Sequence, residues 1–152
     1  MRLKPALLTV SASCIAAIAS YEGYRATAYI PVAGDVATIG WGTTSSVKAG
    51  DSTTPTQALV RLVRDAELAK AGIDRCVKVP ISQGELDAYV SLAYNIGSGN
   101  FCSSTLVRKL NLYDYTGACA EIKRWVYAGK RKLTGLVKRR AGEYEMCMKG
   151  QE

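Results

Sequence analysis

The chain has 152 residues, 48% hydrophobic and 22% charged, a balance typical of a globular protein rather than a disordered one. Its 20 lysines and arginines exceed its 13 acidic residues, and the net charge of +7 favours a polyanionic partner such as nucleic acid, an anionic membrane or a cell wall. The lack of histidine excludes Ser-His-Asp and Cys-His triads and the common zinc hydrolase sites, so carboxylates, tyrosines, lysines or cysteines would have to transfer protons.

The N-terminal region allows two interpretations. Residues 1–4 are a short basic start, and residues 5–20 are almost uncharged and rich in alanine and serine, like the two regions of an export signal or a weak export anchor. Residues 1–10 would then form a short leader. The apolar run is too short and too mildly hydrophobic to predict a stable transmembrane helix. Residues 11–25 also predict the first helix of a domain, because Ser11 can cap it and Cys14 and Ile18 fall on one face. The helix is the preferred interpretation.

Residues 26–50 have the composition of a small antiparallel sheet. β-Branched and aromatic residues are broken here by Pro31 and by several glycines, which favours short strands joined by tight turns. The pair Gly34-Asp35 lies where the turn of a hairpin would fall.

Residues 55–150 are predicted to form a helical lobe. Thr54, followed by proline, marks the start of a helix that is predicted to end at Gly72. Ser82 and Glu85 have the spacing of a capping box and predict the start of the next helix.

The helical pattern continues to the end of the lobe. Asp114 is predicted to cap a helix that runs through Tyr127, and a basic helical tail follows that Gly135 can split. The order of one helix, a small sheet and then many helices predicts an α+β fold, mainly helical, as a single domain over residues 1–152.

The five cysteines leave alternatives open. They contain no C-x-x-C pair, so zinc ribbons and thioredoxin-like motifs are not expected. Either all five are free thiols of a reducing compartment, or two disulfides form in an oxidising one and one thiol remains. Among several connectivities we select Cys76–Cys102 and Cys119–Cys147, which leaves Cys14 unpaired.

Glu22 is the strongest catalytic candidate. It is predicted to end the first helix, directly before Gly23 and shortly before the sheet, and clefts form at such boundaries between substructures. On position alone a solvated glutamate is the simpler interpretation, so the surrounding pattern decides.

That pattern consists of six segments in a fixed order: Tyr21–Tyr29, Gly34–Thr43, Asp87–Gly97, Phe101–Leu106, Gly117–Trp125, and Gly135–Arg140 followed by Glu143 and Glu145. Together they resemble the phage lysozyme family over roughly residues 11–150. The resemblance implies a lysozyme-like fold. It also implies an endolysin that hydrolyses the β-1,4 bond between N-acetylmuramic acid and N-acetylglucosamine in bacterial peptidoglycan and so lyses the host cell.

The resemblance also assigns catalytic roles. Glu22 matches the family's general acid, and burial or neighbouring groups can keep a glutamate protonated for this task. Thr38 matches the threonine that positions the attacking water in an inverting reaction. The second carboxylate departs from the usual spacing, which falls on Pro31, and we assign it to Asp35; a simple turn residue is the alternative. Thr43 replaces a histidine of many members.

Further residues are expected to bind substrate. Tyr29 and Trp41 can line the cleft, although aromatic residues of a small sheet are more often part of a core. Asn95 and Gly97 match a cleft wall whose backbone groups can bind N-acetyl sugars, and Asn95 can equally cap a helix. Arg139 matches a basic segment near the peptide stem of the substrate, with a solvated charged face as the alternative.

Other functions are weaker alternatives. The basic C-terminal region contains no nucleic-acid-binding motif, so no nucleic-acid partner is expected. A lytic transglycosylase needs only one catalytic glutamate, and an inactive wall-binding protein would use the same fold. We expect a monomer without metal or cofactor, made in the bacterial host cytoplasm and acting on peptidoglycan in the periplasm. The N-terminus is also compatible with transient membrane association.

Overall fold

The structure, a computed structural model, describes residues 1–152 as seven helices and four short strands. The helices are α1 (Ala12–Glu22), α2 (Pro55–Cys76), α3 (Gln83–Ile96), α4 (Ser98–Cys102), α5 (Thr105–Asn111), α6 (Tyr115–Glu121) and α7 (Thr134–Lys149). The strands are β1 (Arg25–Tyr29), β2 (Thr38–Gly40), β3 (Tyr127–Ala128) and β4 (Arg131–Lys132). The predicted α+β, mainly helical fold, with a small antiparallel sheet near the N-terminus, is confirmed.

Helix α3 is the centre of the core. Oγ of Ser82 accepts from the backbone N–H of Glu85 at 3.2 Å, and Oε2 of Glu85 accepts from the N–H of Ser82 at 2.8 Å, so the predicted capping box is present. Residues 85–93 are all buried, because α1, α2, α4 and α7 pack around this helix. Burial of an apolar side chain such as Leu86 contributes about 1.5–3 kcal/mol.

Helix α1 is fixed to α3 at its start. Ser11 caps α1 and also donates from Oγ to Oδ2 of Asp87 at 2.6 Å. Within the predicted segment 11–25 the helix ends after Glu22, as expected from Gly23, which adopts a φ of +68°. The chain then turns directly into β1.

Strands β1 and β2 form the predicted hairpin. Arg25 pairs with Gly40 and Tyr29 with Thr38, with an irregularity between the two pairs. The connecting loop, residues 30–37, is exposed over most of its length and projects beside the end of α1.

Two glycines that were predicted to interrupt helices do not. Helix α2 continues past Gly72 to Cys76, and a Cβ at Gly72 would overlap the side chain of Ser98. This glycine therefore allows α4 to approach α2 closely, which the local sequence does not reveal. Gly135 is the second residue of α7, which begins at Thr134, so it does not split this helix.

The prediction of a helix from Asp114 through Tyr127 was also wrong at its C-terminal end. Helix α6 ends at Glu121, a 3-10 turn covers Ile122–Arg124, and β3 and β4 form a second small hairpin. Gly129 has a φ of +59° in the turn of this hairpin, a conformation that favours glycine.

Residues 1–10, expected as a leader, pack on the protein in this structure. Leu3 and Ile81 exchange backbone hydrogen bonds of 2.8 and 2.7 Å. Nη2 of Arg2 lies 2.9 Å from Oε1 of the buried Glu85, and Pro5 is buried. None of the helices combines the length and apolar character needed to cross a bilayer.

The structure contains the two disulfides selected from the sequence. Cys76 is bonded to Cys102 and Cys119 to Cys147, with Cα–Cα distances of 5.6 and 5.8 Å. A disulfide of this loop length typically stabilises a protein by about 2–4 kcal/mol. Cys14 is free and buried, and its burial raises the pKa of the thiol to about 12, so it stays protonated near neutral pH.

Candidate active site

An open cleft separates the β1–β2 hairpin from the helices and brings the three catalytic candidates together. Its volume is about 460 Å³. The walls come from the end of α1, the hairpin loop and the end of α3, and the lining residues are Glu22, Tyr29, Pro31, Asp35, Val36, Thr38, Gly42, Thr44 and Asn95. Glu22, Asp35 and Thr38 therefore face one solvent-accessible space, although 13 residues separate the glutamate from the aspartate in the chain.

The carboxylate of Glu22 is held on both sides. Its side chain is 20% exposed, and Oε1 accepts a hydrogen bond from Nη1 of Arg139 at 2.5 Å. The other oxygen, Oε2, faces Gly42, where a Cβ would come within 2.9 Å of it. Gly42 also has a φ of +87°, so glycine suits this position for conformational and steric reasons. The remaining exposed part of Glu22 lines the cleft and a neighbouring depression beside Arg139.

The turn that presents Gly42 is fixed to the helical lobe. The hydroxyl of Tyr94 on α3 donates to the carbonyl of Trp41 at 2.7 Å. Oγ1 of the buried Thr43 donates to Oδ2 of Asp65 on α2 at 2.8 Å. Thr43, which stands where many phage lysozymes have histidine, thus makes a structural contact away from the reacting groups.

Arg139 is largely buried, and its small exposed part lines a depression beside the cleft together with Glu22 and Asn95. It is 4% exposed, and its neighbour Arg140 is 1% exposed, so a solvated charged face is excluded for both. Besides Glu22, Arg139 contacts the carboxylate of Glu143, with Nε at 3.1 Å from Oε1, and the carbonyl of Ser91, with Nη2 at 3.2 Å. It therefore borders the cleft through Glu22.

Glu143 was not predicted to have a role, yet it is fully buried beneath the site. Burial raises the pKa of its carboxyl, and the neighbouring arginines oppose that shift. Burial also lowers the pKa of Arg140. The spacings of Glu143 from Arg139 and Arg140, four and three residues along one helix, were the signal in the sequence that indicated contact.

Asp35 and Thr38 approach the cleft differently. Asp35 is exposed in the hairpin loop, where its backbone N–H donates to the carbonyl of Val32 at 2.9 Å. Its carboxylate makes no hydrogen bond to another protein group. Thr38, at the start of β2, is 8% exposed and donates from Oγ1 to the carbonyl of Val36 at 3.3 Å.

The predicted substrate-binding residues divide into two groups. Tyr29 and Asn95 line the same cleft as Glu22, and Gly97 lines an adjoining depression that shares Gly42 with it. Trp41 does not line the cleft: it packs on the core, with its ring 5.1 Å from that of Tyr24, so its core interpretation was the right one.

Several known proteins are similar to this chain in sequence. The family model described as phage lysozyme matches residues 19–143. An endolysin of Acyrthosiphon pisum secondary endosymbiont phage 1 is 42% identical over 138 residues, which are 88% of this chain and 94% of the relative. A SAR-endolysin of Enterobacteria phage P21 is 37% identical over 134 residues, 86% and 81% of the two chains.

A solved structure gives the same answer for the fold. The crystal structure of a variant of P22 lysozyme superposes with a TM-score of 0.81 at 32% sequence identity, and the match covers 93% of this chain and 99% of that one. The matched family model spans most of the chain and includes every residue that we place at the cleft. The chain belongs to the phage lysozyme family.

Proposed function

We propose that Glu22 is the general acid of a peptidoglycan hydrolase, that Asp35 is the carboxylate that activates the attacking water, and that Thr38 helps to position this water. The observation that carries the proposal is that these three residues line one cleft. Glycoside hydrolysis with inversion needs an acid on one side of the scissile bond and a base on the other, with room for water between them.

Membership of the phage lysozyme family makes the chain a glycoside hydrolase of the lysozyme type, an endolysin that acts on bacterial peptidoglycan. The bond that we expect it to cut is the β-1,4 bond between N-acetylmuramic acid and N-acetylglucosamine. The surplus of positive charge suits this substrate, because peptide stems and wall polymers carry carboxylates and phosphates.

The proposed reaction uses the two oxygens of Glu22 differently. Arg139 holds Oε1, which leaves Oε2 to carry the proton toward the leaving oxygen of N-acetylglucosamine. As the C1–O bond breaks, positive charge develops at C1 of N-acetylmuramic acid, and water attacks C1 from the opposite face. The carboxylate of Asp35 accepts the proton that this water loses. Both products end with a hydroxyl group where the bond was.

Substrate recognition is assigned to the cleft walls. The ring of Tyr29 offers an apolar surface for a sugar ring, and the side chain of Asn95 can bind an N-acetyl group on the opposite wall. The depression lined by Gly97 adjoins the cleft at Gly42 and Thr44 and offers room for further sugars. Arg139 is assigned to Glu22 and not to the peptide stem.

We also propose that the protein acts in the periplasm. Two disulfides are more stable in an oxidising compartment than in the cytoplasm, and several relatives are named SAR-endolysins. Export or transient membrane association through residues 1–10 would require the ion pair of Arg2 with Glu85 and the pairing of Leu3 with Ile81 to be absent at that stage.

The test of this function is the chemistry of the soluble products. Purified peptidoglycan should yield fragments that end in ordinary reducing N-acetylmuramic acid, as identified by mass spectrometry before and after borohydride reduction. Release of 1,6-anhydromuramic ends would assign the chain to the lytic transglycosylases. Absence of any soluble fragment would instead leave a wall-binding protein without activity.

A further inference from the structure

A buried carboxylate behind the cleft connects two of its walls. Glu143 lies on α7 with no solvent exposure, and Oε1 accepts hydrogen bonds from Oγ of Ser91 at 2.6 Å and from Nε of Arg139 at 3.1 Å. Oε2 lies 2.8 Å from Nε of Arg140, in a contact that is an ion pair without good hydrogen-bond direction. Glu143 therefore contacts both arginines and the central helix α3 at once.

Each arginine continues to a residue of the cleft. Arg139 reaches from Glu143 to Oε1 of Glu22, at the end of α1. Arg140 reaches from Glu143 to Oδ1 of Asn95, to which its Nη2 donates at 2.9 Å, at the end of α3. Glu22 and Asn95 both line the cleft, on parts of the chain 73 residues apart.

We propose that Glu143 is a positioning residue for the reaction, which orients the acid Glu22 through Arg139 and the substrate-binding amide of Asn95 through Arg140. This proposal rests on the proposed function, in which Glu22 is the general acid. Glu143 touches neither substrate nor reacting atoms, so its effect must pass through the two arginines.

The physical reason is the geometry of a guanidinium group that is held at two edges. Nε of Arg139 donates to Glu143 and Nη1 donates to Glu22, so the plane of the guanidinium group is fixed. The fixed guanidinium group in turn fixes the orientation of the Glu22 carboxyl group. Without the charge of Glu143, Arg139 keeps only Glu22 and Arg140 keeps only the amide of Asn95 as side-chain partners, and the cluster carries one more unit of positive charge. A displacement of about 1 Å at a reacting group can reduce a rate about 10²-fold.

The variant Glu143→Gln tests this, with Glu85→Gln as the matched control. Glu85 is also fully buried and also paired with an arginine, Arg2, but it lies near the opposite end of α3 from Asn95. We expect Glu143→Gln to lower kcat on soluble wall fragments about 10- to 100-fold, while Glu85→Gln stays within about twofold of the wild type at a comparable loss of melting temperature. Equal losses of kcat in both variants would assign Glu143 to stability alone.

The pH dependence of kcat distinguishes a positioning role from a merely structural one, because a loss of stability alone would not shift it. The proposed reaction needs a protonated acid at Glu22, so kcat should fall on the alkaline side. The groups around it are Arg139 and Arg140 of α7, Tyr94 of α3 and Asp35 of the hairpin loop. Removing the negative charge of residue 143 leaves the cluster more positive, which disfavours a protonated acid beside it, so the alkaline limb of kcat should move to lower pH.

A second variant, Glu143→Asp, keeps the test valid if the glutamine variant does not fold. Aspartate retains the charge but is too short to contact both arginines, so kcat should fall about tenfold with the alkaline limb unmoved. Wild-type kcat in a folded Glu143→Asp or Glu143→Gln variant would overturn the proposal. Failure of the proposed function is distinguishable, since Glu22→Gln would then remain active whatever happens at Glu143.

Discussion

Replacing Glu22 with glutamine should abolish nearly all peptidoglycan hydrolysis while the fold is kept. An amide cannot donate the proton that the leaving oxygen needs, and a general acid typically contributes about 10²–10⁴-fold, or about 3–5 kcal/mol of activation free energy. The amide oxygen can still accept the hydrogen bond from Arg139, so the local structure should persist. Initial rates on purified wall, together with melting temperature, measure both effects.

The control for this variant is Glu67→Gln. Glu67 is an exposed glutamate of α2 that makes no ion pair and lies outside the cleft, so its replacement should leave the rate unchanged. More than about one tenth of wild-type activity in a folded Glu22→Gln variant would mean that another group supplies the proton.

The second large effect is expected from Asp35→Asn. An asparagine cannot take the proton from the attacking water, so the rate should fall about 10²-fold or more if Asp35 is the base. The melting temperature should stay close to that of the wild type, because asparagine is as suitable as aspartate in this exposed turn. The assay is again the initial rate on purified wall.

Asp51→Asn is the matched control for the loss of a loop carboxylate. Oδ2 of Asp51 accepts from the backbone N–H of Lys48 at 2.8 Å, and the residue does not line the cleft. Activity close to that of the wild type in both variants, with Glu22→Gln inactive, would show that the second carboxylate is misplaced and that the reaction proceeds from Glu22 with Thr38 and water.

The sequence predicted the features that depend on a few neighbouring residues. The caps at Ser11, Thr54, Ser82 and Asp114 marked helix starts that the structure confirms, because capping is a local hydrogen-bond pattern. The β1–β2 hairpin was likewise readable from its composition and turn residues.

Some errors occurred where packing between distant segments decides the structure. Gly72 was predicted to end a helix, but its lack of a side chain serves the contact with Ser98, 26 residues away. A window of neighbouring residues carries no information about such contacts. The end of the helix predicted from Asp114 was wrong for a local reason instead: Gly129 favours a tight turn, and β3 and β4 pair on either side of it.

In the candidate site, too, only the features that depend on residues close together in the chain could be predicted. Glu22, Asp35 and Thr38 could be proposed from their order and spacing, because the segment from α1 to β2 is short. The environment of Arg139 could not be predicted, because its burial depends on contacts of α7 with both α1 and α3. A basic run on an amphipathic helix usually faces solvent, and only the tertiary structure shows that two of its arginines turn inward.

The anomeric configuration of the newly formed product tests the central claim most directly. If Glu22 protonates the leaving oxygen while Asp35 and Thr38 direct water to the opposite face of C1, the first product released from a soluble β-linked wall oligosaccharide must be the α-anomer. Proton NMR during the first minutes of reaction, before mutarotation, distinguishes the anomers. An initial α-anomer is the result that we predict, whereas an initial β-anomer would mean retention and would contradict the roles assigned to Asp35 and Thr38.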